Sequence, residues 1–225
     1  KLRILAGDVD VDKFLASTMS DHNSQKAIQI AQKAKGIARA FSRTLIVGDA
    51  ATNPKEFDGL QKSVDPGQII SAGVDGNALT LSMLDELADS VPNGADAFIM
   101  REGTIRAYRQ LLRATSGGTD AVMMQLANFG KPMLTHGGLP ILVNNFIPGD
   151  VAQGATADTC DVIAVRFNEV DGFHGIYGGD RAGFVVEELG TVQSKDATRT
   201  RVKWYAGTAL KSTKSLSILR GVTNV

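Results

Sequence analysis

Between positions 21 and 49, apolar residues recur at Ile30, Ala34, Ile37, Phe41 and Leu45, with Ala27, Ala31 and Ala38 on the flanks. Steps of three and four place that set on one side of an α-helix. Asp21, Asn23 or Ser24 is available to cap its start, and Gly48 stands where a helix stops. The spacing predicts a helix over about 21–47, a rod of roughly 37 Å and about twice the usual globular length. Lys26, Lys33, Lys35, Arg39 and Arg43 lie on it, with no acidic residue between Asp21 and Asp49.

Before this helix, Leu2 and Ile4 suggest a short strand, Gly7-Asp8 a turn, and 12–19 a short helix. After it, a strand is predicted at 68–71 between Pro66-Gly67 and Gly73. A second helix runs from Thr80 with Leu84, Leu87, Ala88 and Val91 at helical spacing, and Pro92-Asn93-Gly94 ends it. A buried strand follows at 97–100. Thr104 then caps a third helix, with Ile105, Tyr108, Leu111 and Leu112 inward and Arg106, Arg109 and Arg113 outward, stopped by Gly117-Gly118. From there the period becomes that of strands, at 122–128, 140–146, 162–167, 183–189, 201–205 and 215–219. Helices first and strands later, without regular alternation, give an α+β fold. No stretch has linker composition, so a second domain is expected by insertion.

Composition narrows the picture only slightly. The 225 residues suffice for one large domain or two small ones. Lys and Arg number 24 against 24 Asp and Glu, so any attraction to nucleic acid or membrane must be local. One cysteine, Cys160, excludes an internal disulfide. No apolar run approaches the roughly 20 residues of a membrane helix, and no signal peptide is visible. The chain opens at Lys1 without a methionine, and an upstream segment is expected.

Motifs that would carry chemistry are incomplete. Asp8-Val9-Asp10-Val11-Asp12 suggests a calcium loop, but its sixth and twelfth positions are Lys13 and Met19, where glycine and glutamate are needed. A turn and a helix cap fit better. The run Gly178-Gly179-Asp180-Arg181-Ala182-Gly183 precedes a strand, which favours a tight turn over a phosphate cradle. Thr135-His136-Gly137-Gly138 resembles an esterase oxyanion loop, yet no G-x-S-x-G is present, and a hairpin connection fits. His22, His136 and His174 form no i,i+4 pair that would suit a metal. A Cys160–His174 thiol dyad competes with Cys160 as a small buried residue, and the latter fits a strand start. No catalytic residue, metal site or cofactor is expected. What remains is basic: Lys35, Arg39 and Arg43 form one line along a helix face, and Arg106, Arg109 and Arg113 another. Each is either a solvated face or a contact with a neighbouring subunit or with phosphate.

Several phrases, taken in order, resemble one family. The long Ala- and Lys-rich helix leads into Leu45-Ile46-Val47-Gly48-Asp49 and then Phe57-Asp58-Gly59-Leu60. Later come Gly138-Leu139-Pro140-Ile141-Leu142-Val143-Asn144 and Phe173-His174-Gly175-Ile176-Tyr177-Gly178-Gly179. The chain closes on Val202-Lys203-Trp204-Tyr205-Ala206-Gly207-Thr208-Ala209-Leu210 and Leu219-Arg220-Gly221-Val222. Together they resemble the major capsid proteins of tailed bacteriophages, which have the Hong Kong 97-type fold. The resemblance spans nearly the whole chain.

It implies a spine helix in a peripheral domain, about 1–91 with 181–225, and an inserted axial domain, about 92–180. It also implies a non-enzymatic subunit that assembles with copies of itself, as hexamers and pentamers, into an icosahedral virion shell around double-stranded DNA. Scaffolding, portal or decoration proteins are expected partners, with non-specific DNA contact, no membrane, and assembly in the host cytoplasm. An encapsulin compartment with the same fold is the neighbouring reading. A small α+β enzyme using Cys160 or His136 is the third. Acidic Asp85, Glu86 and Asp89 are expected to meet the basic lines of a neighbouring subunit.

Overall fold

The protein is described by a computed structural model covering residues 2–18, 24–114, 123–125, 132–179 and 182–223. In its first half run β1 (Arg3–Asp12), α1 (Lys13–Thr18), α2 (Gln25–Val47), α3 (Leu60–Ser63), β2 (Ile69–Ser71), α4 (Leu81–Asp89), β3 (Ala97–Met100) and α5 (Glu102–Ala114). Strands then dominate: β4 (Met123–Gln125), β5 (Pro132–His136), β6 (Leu139–Val143), β7 (Val151–Gln153), β8 (Thr156–Val165), β9 (Phe173–Tyr177), β10 (Val185–Thr191), β11 (Ala197–Leu210) and β12 (Leu216–Val222). Helices concentrate early and strands late, as the α+β reading expects. The chain divides into two compact units, Lys1–Asp58 with Gly175–Thr208, and Gly59–His174 with Ala209–Val225. These bounds differ from the expected 91/92 and 180/181. Residues 59–91 and 209–225 belong to the second unit because β2 pairs with β12, and β12 with β8.

In the first unit, β1 is longer than its sequence suggested. The expected turn at Gly7-Asp8 is absent: β1 pairs with β11 without a break from Arg3↔Ala206 to Asp12↔Ala197. The alternation of Val and Asp is a strand period: Val9 and Val11 point inward and are buried, while Asp8 and Asp10 stand on the other face. The expected cap survives, since Asp12 Oδ1 accepts from the N–H groups of Phe14 and Leu15 at the start of α1.

Helix α2 packs across β1. Ser24 is its cap, its hydroxyl accepting from Ala27 N–H; the alternatives Asp21 and Asn23 lie outside the described residues. Ile37 is buried, and Ile30, Ala34, Phe41 and Leu45 are half-buried, so the predicted apolar stripe is the packed one. Phe41 anchors it, with ring centroids 4.6 Å from Trp204 and 5.5 Å from Phe57. Gly48 ends the helix by close approach: a Cβ there would lie 2.3 Å from the Phe57 carbonyl oxygen.

In the second unit a mixed eight-stranded sheet runs β2-β12-β8-β3-β6-β5-β4, with β7 also on β8. Val162, Ile163, Ala164 and Val165 of β8 are fully buried in succession, as strands covered on both faces are. Helix α4 starts where expected, with Thr80 as its cap, accepting from Met83 N–H, and Leu84 and Leu87 are buried. Helix α5 begins at Glu102, ahead of the predicted cap Thr104. A distant residue supplies the cap: Asn145 Oδ1 accepts from Glu102 N–H at 3.1 Å. Thr104 is buried in the first turn, so tertiary contact decides the boundary. Its predicted stop, Gly117-Gly118, lies outside the described residues.

Candidate assembly surfaces

The long helix directs its basic line to solvent. Lys35, Arg39 and Arg43 are all exposed, on the side away from Ile37 and Phe41. Arg43 Nη1 lies 3.5 Å from Glu56 Oε1 in the loop beyond the helix, a surface pair worth at most about 1 kcal/mol. Arg43 has no acidic partner within the helix; the chain returns one from outside it. Lys35 and Arg39 make no ion pair or side-chain hydrogen bond with a described residue.

Helix α5 is built the same way in the second unit. Thr104, Ile105, Ala107, Tyr108 and Leu112 are buried, while Arg106, Arg109 and Arg113 are exposed on the opposite side. Helix α4 answers with the other sign: Leu84 and Leu87 face inward, and Asp85, Glu86 and Asp89 are exposed. Asp85 is already engaged, accepting from His136 Nε2 at 2.9 Å. An ionised carboxylate only accepts, so this pairing puts a proton on Nε2. The other ring nitrogen, Nδ1, faces the Tyr108 hydroxyl at 3.2 Å, and that hydroxyl donates to the Thr135 carbonyl at 3.0 Å. His136 therefore ties α4 to α5 from the end of β5. Its sequence neighbours Gly137 and Gly138 take φ of 55° and 82°, forming the two-residue turn of the β5–β6 hairpin. The hairpin reading holds; the structural use of His136 carried no sequence signal, because Asp85 and Tyr108 are distant in the chain.

The chemically suggestive residues are placed for packing. Cys160 is fully buried with its Sγ 3.1 Å from Thr104 Oγ1, and burial pushes its thiol above the ordinary range, contrary to what a nucleophile needs. Asp161 is almost wholly buried; desolvation raises its pKa against the lowering effects of Arg220 and the Gln61 amide, which donates at 2.8 Å. Asp8 and Asp10 are clamped by guanidinium groups, not arranged around an ion: Arg201 and Arg199 each donate from Nε and Nη2 to one carboxylate. No group of three metal-ligating side chains occurs among the described residues, and no helix among them is long and apolar enough to cross a membrane. Arg181 and His22 lie outside the described residues.

Large apolar side chains are left open on both units. In the first, Phe14 is 71% and Ile4 68% exposed; in the second, Val74 is 86% and Val170 84% exposed. No residue of α1 is buried. Apolar surface of this kind marks contact with other molecules when it gathers into patches.

No family model matches the sequence, and no curated protein matches it. Solved structures do. The holo-SrpI encapsulin complex from Synechococcus elongatus aligns over 98% of this chain and 74% of that chain, with a TM-score of 0.80 and 22% identity. The capsid of an empty GTA particle aligns over 98% of this chain and 74% of its own, with a TM-score of 0.71 and 16% identity. A structure from Mycobacterium phage Adephagia aligns over 97% of this chain and 71% of that one, with a TM-score of 0.60 and 13% identity. Over nearly its whole length, this chain shares their fold.

Proposed function

From its Hong Kong 97-type fold we infer that the chain is a structural subunit of a closed protein shell, and specifically of a tailed-bacteriophage head enclosing double-stranded DNA. The observation that carries this is the alignment of 98% of the chain with a capsid subunit at a TM-score of 0.71. The surfaces agree with it: a tile needs wide faces that bond to copies of itself, and here Lys35, Arg39, Arg106, Arg109, Arg113, Glu86 and Asp89 are exposed without an ion pair to a described residue, alongside open apolar side chains. Reuse of the same patches around rotation axes closes a shell, and many weak contacts made together multiply their effect. Equal numbers of acidic and basic residues limit long-range repulsion between crowded copies.

In this reading hexamers and pentamers form the shell, the first unit carries the spine helix of the peripheral domain, and the second corresponds to the axial domain. Scaffolding, portal or decoration proteins are its other partners. Lys35 and Arg39 are candidates for non-specific contact with packaged DNA or with a neighbouring subunit. The role is structural, without catalysis, and its place is the virion after assembly in the host cytoplasm.

A second reading, an encapsulin-type compartment, is favoured by the higher TM-score and identity of the SrpI encapsulin, 0.80 and 22%. Purified particles treated with nuclease distinguish the two. Protected double-stranded DNA of uniform length supports the phage head; a co-purifying enclosed protein without DNA supports the compartment.

A further inference from the structure

We propose that the arginine line of α5 docks on the acidic edge of α4 in a second copy of this chain. The inference rests on the shell reading and names the faces through which copies meet.

Arg106, Arg109 and Arg113 follow one another at three and four residues along a helix whose opposite side is buried. They form a rigid positive stripe about 10 Å long. Glu86 and Asp89 are three residues apart on the exposed side of α4, opposite Leu84 and Leu87. None of these five side chains makes an ion pair or hydrogen bond with a described residue. Several charges of the first unit, by contrast, are paired internally: Asp8 with Arg201, Asp10 with Arg199, Lys26 with Glu188, Lys13 with Asp196, and Lys203 with Glu187. The second unit thus carries two exposed stripes of opposite sign, neither with an ion pair to a described residue, so that each copy offers both halves of a complementary contact.

Rigidity adds to the case. His136 holds α4 through Asp85 and α5 through Tyr108, so both stripes are fixed before a partner arrives, and little ordering entropy is lost on contact. The expected acidic patch included Asp85, but its carboxylate is engaged by His136. Recognition then falls to Glu86 and Asp89. Arginine suits the role, because its planar fork meets carboxylates in pairs of hydrogen bonds.

The test is a charge exchange in the full chain, read by sedimentation velocity and electron microscopy. One variant carries Arg106→Glu, Arg109→Glu and Arg113→Glu; a second carries Glu86→Lys and Asp89→Lys; a third combines all five. Each reversal alone is expected to reduce the associated fraction at least tenfold, and the combination to restore most of it, with circular dichroism and melting unchanged. Association of either reversed variant at the level of the unaltered chain overturns the proposal, as does a combined variant no better than its parents. If shells form but ignore the reversals, the docking proposal fails and the shell reading stands. If the charge exchange rescues association but the assemblies are not closed shells, the reverse holds. A chain that stays monomeric at every concentration overturns both.

Discussion

Arg201 meets Asp8 across the β1–β11 ladder through two parallel hydrogen bonds of 2.7 and 2.9 Å, and two residues along Arg199 meets Asp10 at 2.6 and 2.7 Å. The register Asp8↔Arg201 and Asp10↔Arg199 puts each pair directly opposite. Cross-strand pairs of this kind fix alignment as well as adding stability. They also explain why an acidic run that suggests a cation loop is a strand.

These clamps make the first unit sensitive to acid. Hydrogen bonds from Arg201 and Arg199 lower the pKa of Asp8 and Asp10, respectively. A depressed folded pKa contributes stability that is present above the unfolded value, about 3.9, and is lost as pH falls through the folded one. Asp8→Asn with Asp10→Asn is expected to lower the melting temperature at neutral pH and to flatten its decline below about pH 4. A decline as steep as in the unaltered chain, followed by circular dichroism, would contradict this.

Asp161 is predicted to act with the opposite sign. Its folded pKa is raised by burial, so its contribution falls as pH climbs from the unfolded value through the folded one. The melting temperature of Asp161→Asn minus that of the unaltered chain should therefore increase between about pH 4 and pH 7. A difference that stays constant over that range argues against a raised pKa.

Phe41 carries the seat of the long helix. Its ring lies against Trp204 and Phe57, and Phe41→Ala is expected to cost about 2 kcal/mol, less than full burial would imply. Urea titration gives the loss, and Trp204, the chain's one tryptophan, reports the change in its surroundings by fluorescence. An unchanged emission spectrum and midpoint would show that the helix is seated by other contacts.

Gly48 is required by space. A Cβ there would lie 2.3 Å from the Phe57 carbonyl oxygen and 2.5 Å from that of Thr44, although the backbone is not left-handed. Gly48→Ala is expected to destabilise the protein by about 2 kcal/mol or more. Gly36→Ala, with nothing within 4 Å of the added atom, is the control and should be neutral or stabilising by about 1 kcal/mol. Equal effects at the two positions would dismiss the close approach as the cause.

Much of this was legible in the chain. The step of three and four from Ile30 to Leu45 marked the buried side of α2, the start of α4 at Thr80 was readable, and the acidic run ended in a helix cap at Asp12, because these signals are local. The continuous apolar run at Ala97–Met100 is β3 to the residue. What the sequence hid was decided at a distance. Asn145, not Thr104, caps α5; β11, not local turn chemistry, straightens β1; and Glu56 reaches back to Arg43. The basic lines were readable as exposed, but which charges are engaged depended on tertiary placement, as Asp85 and His136 demonstrate. Strands β5, β7 and β9 are short, and β7 and β9 lack an apolar alternation strong enough to stand out.

A tile must close into a shell with copies of itself. Electron microscopy of the purified full chain, with mass measured by light scattering on the same sample, decides whether this chain does. Closed hollow particles of uniform size and megadalton mass are expected; a homogeneous monomer that persists at high concentration rules the shell reading out.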